Sequence, residues 1–119
     1  MTAHEEASKI PGLQAVGLAL LQYAETLFPS CTSEICDRLL VIRPNNFAAF
    51  TFQSRARTIR ISLRGYRREF EPLPELPIVR GRSGYSMCVV QGPHQLFAAV
   101  SYLRQAADIY VRRTRKRAV

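Results

Sequence analysis

Lysine is nearly absent: Lys9 and Lys116 are the only two, one near each end of the chain. Metal-dependent nuclease sites need clustered carboxylates with a lysine or histidine beside the attacking water. Asp37 is the one acidic residue of the expected strands, and Glu69, Glu71 and Glu75 stand in a proline-rich stretch with no lysine near. No such site assembles. Cysteine is scarce too, with three residues at 31, 36 and 88. An odd count argues against a closed disulfide framework. Cys31 and Cys36 form the single short-spaced pair, and Cys88, His4 and His94 offer no second one, so a four-ligand zinc site is not expected. Cys31 or Cys88 with His94 carries no local signature of a nucleophile and its base. Glycine is sparse as well: Arg80 to Gly84 holds two glycines and no following lysine, which excludes a phosphate loop of the Walker type.

Long apolar runs are also missing. The longest, Ala15 to Leu21, is interrupted by Gln22 and falls well short of the roughly 20 residues that span a bilayer. The start, Met1 to Glu6, has no basic segment of the kind that opens a signal peptide. The expectation is a cytoplasmic, non-enzymatic protein with free thiols, no metal, no cofactor and no membrane partner.

Hydrophobic residues make up 47% of the 119 and charged ones 22%, a globular composition able to bury a core. That length fits one domain, residues 1–119, with a flexible start at 1–9 and a basic tail at 112–119. Charge is divided along the chain. Residues 1–36 sum to −3, whereas residues 37–119 carry fifteen arginines and Lys116 against five acids, a sum of +11. Such an asymmetric basic surface attracts polyanions. A GC-rich genome also favours arginine over lysine, but the physical consequence is the same: a permanent charge on a planar fork that suits phosphate.

Apolar residues Val16, Leu20, Ala24 and Leu27 recur at helical spacing, and Pro11 and Pro29 bracket them, predicting a helix over 11–28. Residues 30–36 read as a connector. Strands are expected at 37–43, 47–53 and 57–64, with turns at Pro44-Asn45-Asn46 and Ser54-Arg55-Ala56. The third alternates cleanly: Ile59, Ile61 and Leu63 point one way, Thr58, Arg60, Ser62 and Arg64 the other. Residues 65–84 contain Pro72, Pro74 and Pro77 and read as a long irregular loop, of a length usually functional or mobile. Residues 85–91 form a fourth strand. Gly92-Pro93 then opens a final helix, with Leu96, Val100, Leu103, Ala107 and Tyr110 on its apolar stripe. The predicted fold is α+β: a two-layer domain of helix, three- to four-stranded antiparallel sheet and helix, with both helices on one sheet face.

The opposite sheet face is the candidate nucleic-acid surface. Arg43, Arg55, Arg57, Arg60 and Arg64 stand on or beside it, with Phe47 and Tyr66 available for stacking. Arginine with aromatics on an exposed sheet is one way proteins track single strands. The plainer alternative is a solvated strand whose arginine stems cover apolar sheet. Arg112, Arg113, Arg115 and Lys116 extend the basic surface to the last helix, where a helix C-terminus itself favours cations. Arg67, Arg68, Arg80 and Arg82 flank the proline loop, and pairing with Glu69, Glu71 and Glu75 is expected over a phosphate clamp.

The order of features from Arg38 to Tyr110 resembles a small bacterial domain family of unknown function. That family is sometimes described as a predicted transport protein and often lies C-terminal to restriction-type endonuclease domains. The matching features are an apolar first strand, Asn46 to Phe50 in the second, Arg57 to Leu63 in the third, and a last helix carrying Ala106 to Tyr110. Glu69 to Pro77 is richer in proline than the pattern implies. The resemblance implies a nucleic-acid or defence context and carries over no catalytic residue. DNA or RNA is the expected partner, through Arg43, Arg55, Arg57, Arg60, Arg64 and the basic tail. The alternative is a protein-interaction or homodimerisation module docking an acidic partner.

Overall fold

A computed structural model of the chain describes residues 1–118, with side chains through Lys116. Val119 and the side chains of Arg117 and Ala118, which belong to the expected basic tail, lie outside the described residues. Three helices, α1 (Ala3–Ala7), α2 (Gln14–Thr26) and α3 (Leu96–Ala118), accompany six strands. The strands are β1 (Thr32–Cys36), β2 (Leu39–Arg43), β3 (Ala48–Gln53), β4 (Thr58–Arg64), β5 (Val79–Arg80) and β6 (Tyr85–Val90). They form one antiparallel sheet in the order β1-β2-β3-β4-β6-β5.

The α+β class stands, but three to four strands understates the sheet. Both additional strands are edges. Residues 32–36, expected as a connector, pair along their length with β2, yet four of the five are exposed, so no apolar alternation marks them. Val79–Arg80 is only two residues long and follows Pro77, within what reads as a loop. Edge strands need no hydrophobic face on both sides, and short polar ones resist edge-to-edge pairing. Residues 3–7, expected to fray, form a short helix capped by the Thr2 hydroxyl, with Ala7 fully buried.

β4 fixes the sheet's two faces. Ile59, Ile61 and Leu63 are fully buried and lie opposite Phe52, Phe50 and Ala48 of β3. With Leu40, Ile42, Cys88 and Val90 they make the floor of a single core, roofed by Leu20, Leu21 and Ala24 of α2 and by Ala99, Tyr102, Leu103, Ala106 and Ile109 of α3. Gly17 lets α1 close the roof. A Cβ there would lie 1.9 Å from the Ala7 carbonyl oxygen, so any larger residue would force the two helices apart.

The long 65–84 segment is anchored to α3. The buried Tyr102 hydroxyl donates to the Leu76 carbonyl at 2.7 Å and accepts from the Leu73 N–H at 2.8 Å. Gln95 donates to the Glu75 carbonyl, and Gln105 accepts from the Glu71 N–H. Phe70, Leu76 and Ile78 are buried in the core. Tyr102 and Gln105 of α3, with Gln95 of the 3₁₀ turn that leads into it, thus satisfy backbone groups that the prolines exclude from a ladder. The segment's two ends become the walls of the site described next.

Candidate nucleic-acid interface

The expected surface divides into two ends and a middle. β4 runs from the β3–β4 turn to Arg64, and seven residues at the strand rise separate its ends by about 20 Å. Arg55 and Arg57 stand on the turn. Arg57 has a φ of 55°, the left-handed region, where it closes the hairpin. Arg55 shares a shallow depression with Glu6, Lys9, Asp37 and Arg38, a setting of mixed charge. Arg60 is exposed in mid-sheet, its cross-strand neighbours being Thr51 and Val89. The uncovered face around it is otherwise neutral, with Ser62 and Met87 half-buried. Arg43 pairs with Glu34 of the edge strand at 3.8 Å. Phe47 is at 0% exposure and packs on Phe28, ring centroids 5.4 Å apart. Its expected role as a stacking group is therefore corrected: β3 begins only at Ala48, and the residue before it turns into the core instead of continuing the alternation.

At the Arg64 end the cations converge. Arg64 lines a small hollow with Tyr110, Arg113 and Thr114 of α3. Arg112, Arg113, Arg115 and Lys116 line an adjoining groove of about 280 Å³ with Ile109 and Glu69. The α3 C-terminus adds its own preference for positive side chains.

Tyr66 joins that groove to a second one. It opens a 3₁₀ turn over Arg67–Glu69, its N–H donating to the Glu69 carboxylate at 2.8 Å and its carbonyl accepting from the Glu69 N–H at 2.8 Å. Arg113 reaches the same carboxylate from α3. Held in this way, the ring is 45% exposed and carries two guanidinium groups, Arg68 at 4.7 Å and Arg113 at 5.4 Å from its centroid. Each such contact fixes a guanidinium by about 0.5–1 kcal/mol; Arg113 also engages Glu69, whereas Arg68 keeps its N–H edges for an anion.

The facing wall comes from the β5–β6 hairpin. Gly81 donates to the Tyr85 carbonyl and Tyr85 to the Arg82 carbonyl, closing a tight turn in which Arg82 lies 5.7 Å from the Tyr85 ring centroid. The Gly65 N–H donates to the Gly84 carbonyl at 2.9 Å and joins the walls at their base. Between them is a cleft of about 460 Å³, lined by Arg67, Arg68, Arg80 and Arg82, with both tyrosines and the Ser83–Gly84 backbone. Among the described residues no carboxylate lines it.

Pairing of these four arginines with Glu69, Glu71 and Glu75 is not what the fold makes. Among the described residues the ion pairs are Lys9–Glu6, Arg43–Glu34 and Arg113–Glu69. Glu71 and Glu75 instead follow the loop onto α3, where their backbone is held by Gln105 and Gln95. Arg67 stays exposed and donates Nε–H to the Ile78 carbonyl at 3.1 Å. Arg68, Arg80, Arg82 and Tyr85 are additions to the site. Their trace in the sequence is the pairing of arginine with tyrosine at both loop ends, Tyr66 with Arg68 and Arg82 with Tyr85.

The thiols lie apart from this end. Burial pushes the Cys88 thiol up to about 12, and burial also raises that of Cys31, so both stay protonated near neutral pH. Among the described residues no three His, Cys, Asp or Glu side chains cluster as metal ligands, and no helix is long and apolar enough to cross a membrane. No family model, curated protein or solved structure matches the chain.

Proposed function

We propose that this chain is a non-enzymatic nucleic-acid-binding module whose contact surface is the arginine–tyrosine end of the sheet. The observation that carries the reading is the cleft at that end: four arginines converge on it, two of them set against tyrosine rings, and no acid lines it. Self-repulsion makes such a cluster costly to hold without an anion, and the fold spends no carboxylate inside it. The α3 groove continues the positive surface past Arg113 to Arg115 and Lys116. Arg64 adds to it, while Arg43, Arg55, Arg57 and Arg60 stand outside and contribute long-range attraction only. The restriction or defence setting implied by the pattern resemblance belongs to the same proposal, as does a cytoplasmic location.

The test is fluorescence anisotropy with labelled single- and double-stranded DNA and RNA at two salt concentrations. Binding that weakens steeply with salt supports the reading. Absence of binding at low salt, where attraction is strongest, rejects it.

A specific observation favours a second reading, a protein-interaction module. Phe97 on α3 is 87% exposed, beside Leu73, Glu75 and His94 and outside the lining of the cleft. Large aromatics in such positions are typical interface anchors. Loss of self-association or of partner capture in Phe97→Ser, with oligonucleotide binding absent throughout, would put this reading first.

A further inference from the structure

The cleft's shape narrows the ligand. A nucleic-acid strand running across a surface presents one charge per nucleotide and is matched by a track of spaced cations. The groove along α3, with Arg112, Arg115 and Lys116 at i, i+3 and i+4 on one face of the helix, has that character. The cleft does not. Four arginines line one volume instead of following a track, between two walls that the Gly65–Gly84 hydrogen bond ties together. A phosphomonoester carries about −1.5 to −2 charge and three acceptor oxygens, against one charge on an internal diester. Guanidinium forks pair bidentately with such a group. Tyr66 and Tyr85 hold Arg68 and Arg82 in place by their ring faces, leaving the donor edges toward the cleft's interior free for those oxygens.

We infer that the cleft seats the terminal phosphomonoester of a nucleic-acid strand, while the α3 groove follows the next phosphates of the same strand. This rests on the nucleic-acid reading and adds to it a preference for phosphorylated ends. Arg113 connects the two parts, since it lies over Tyr66 and also lines the α3 groove.

The experiment is a competition titration with one oligonucleotide sequence in three forms: 5′-phosphate, 3′-phosphate and hydroxyl at both ends. One phosphorylated form is expected to bind about tenfold tighter than the hydroxyl form, an advantage that shrinks below about pH 6 as the monoester dianion is protonated to the monoanion. Arg68→Ala/Arg82→Ala should remove the advantage, so that whatever affinity remains is the same for the phosphorylated and hydroxyl forms. Arg68→Lys/Arg82→Lys keeps the charge without the fork and should lose most of the advantage, which separates recognition from misfolding. Equal binding of the three forms overturns the inference and leaves the nucleic-acid reading in place. Failure of every form to bind overturns both. An advantage that persists in both double variants overturns the assignment to this cleft. A mononucleotide that competes as well as the phosphorylated strand identifies a free nucleotide as the ligand and overturns the strand-end assignment.

Discussion

The two ends of the sheet each carry arginines, in opposite settings. On the β3–β4 turn, Arg55 and Arg57 project into solvent, with Glu6 and Asp37 in the same neighbourhood as Arg55. At the far end, Arg68 and Arg82 lie against tyrosine rings over a cleft without an acid. The charge type is the same, but only the second setting restricts the guanidinium groups before a ligand arrives. Preorganisation lowers the entropy lost on binding, so equal formal charge at the two ends does not imply equal affinity. Net charge reports the attraction; the local support reports the site.

The largest effect expected from a single change at the cleft end is on stability. Phe47→Ala should cost about 3–5 kcal/mol, because a fully buried ring is lost beneath Phe28. Tyr66→Ala, only a few strand residues away, should cost under about 1 kcal/mol and act on binding instead. Urea midpoints compare the two directly. If Phe47→Ala unfolded no more readily than Tyr66→Ala, the separation of core ring from surface ring would fail.

Tyr102→Phe tests what holds the cleft's walls. It leaves the Leu73 N–H and the Leu76 carbonyl without their partner, at a cost of about 1–3 kcal/mol. Amide exchange should accelerate over residues 73–78 while the β3–β4 turn is unchanged. Uniform acceleration at both ends would mean that the tether is not local.

Cys88 lies midway along β6, between the two ends. Its folded-state value of about 12 stands above the ordinary 9.0. Below pH 9 the thiol is protonated in both the folded and unfolded chain, and its contribution is complete. Between pH 9 and 12 the unfolded chain ionises and the folded one does not, so stability falls by about 1.4 kcal/mol per pH unit. Cys88→Ala should lack this share of the alkaline loss. Identical slopes in the two proteins would show that the thiol titrates normally in the fold.

Arg57→Gly gives the smallest effect and bears on the turn end. Its left-handed φ favours glycine, and a gain of about 0.5–1 kcal/mol is expected. Oligonucleotide affinity should change less than twofold despite the lost charge. A clear fall in affinity would return the turn to the binding surface.

Much of the fold is legible in the residues because hydrophobic periodicity is local. Ile59, Ile61 and Leu63 announce β4, and Val16, Leu20 and Ala24 announce α2. β1 is not legible, since Ser33 and Glu34 hide an edge strand that only its partner β2 reveals. Phe47 misleads because alternation is extended one residue before the start of β3. Of the candidate site, Arg64, Tyr66 and the α3 arginines are legible as basic or aromatic residues near chain features. The cleft is not, because its walls stand at the two ends of the 65–84 segment and are brought together by β4–β6 pairing and the Gly65–Gly84 contact. Nearness in sequence favours pairing of Arg67 and Arg68 with Glu69 and Glu71, whereas the fold gives the Glu69 carboxylate to Arg113 and ties the Glu71 backbone to Gln105.

The most direct measurement is a parallel anisotropy titration of Arg68→Ala/Arg82→Ala and Arg55→Ala/Arg57→Ala against the unaltered protein, with a 5′- and a 3′-phosphorylated oligonucleotide at low salt. Each variant removes two positive charges, so long-range attraction changes equally. At least a tenfold loss in the cleft variant for one of the two ends, with less than a threefold loss in the turn variant, is the predicted result. Equal losses would mean that charge alone governs binding and that the arginine–tyrosine cleft is not a site.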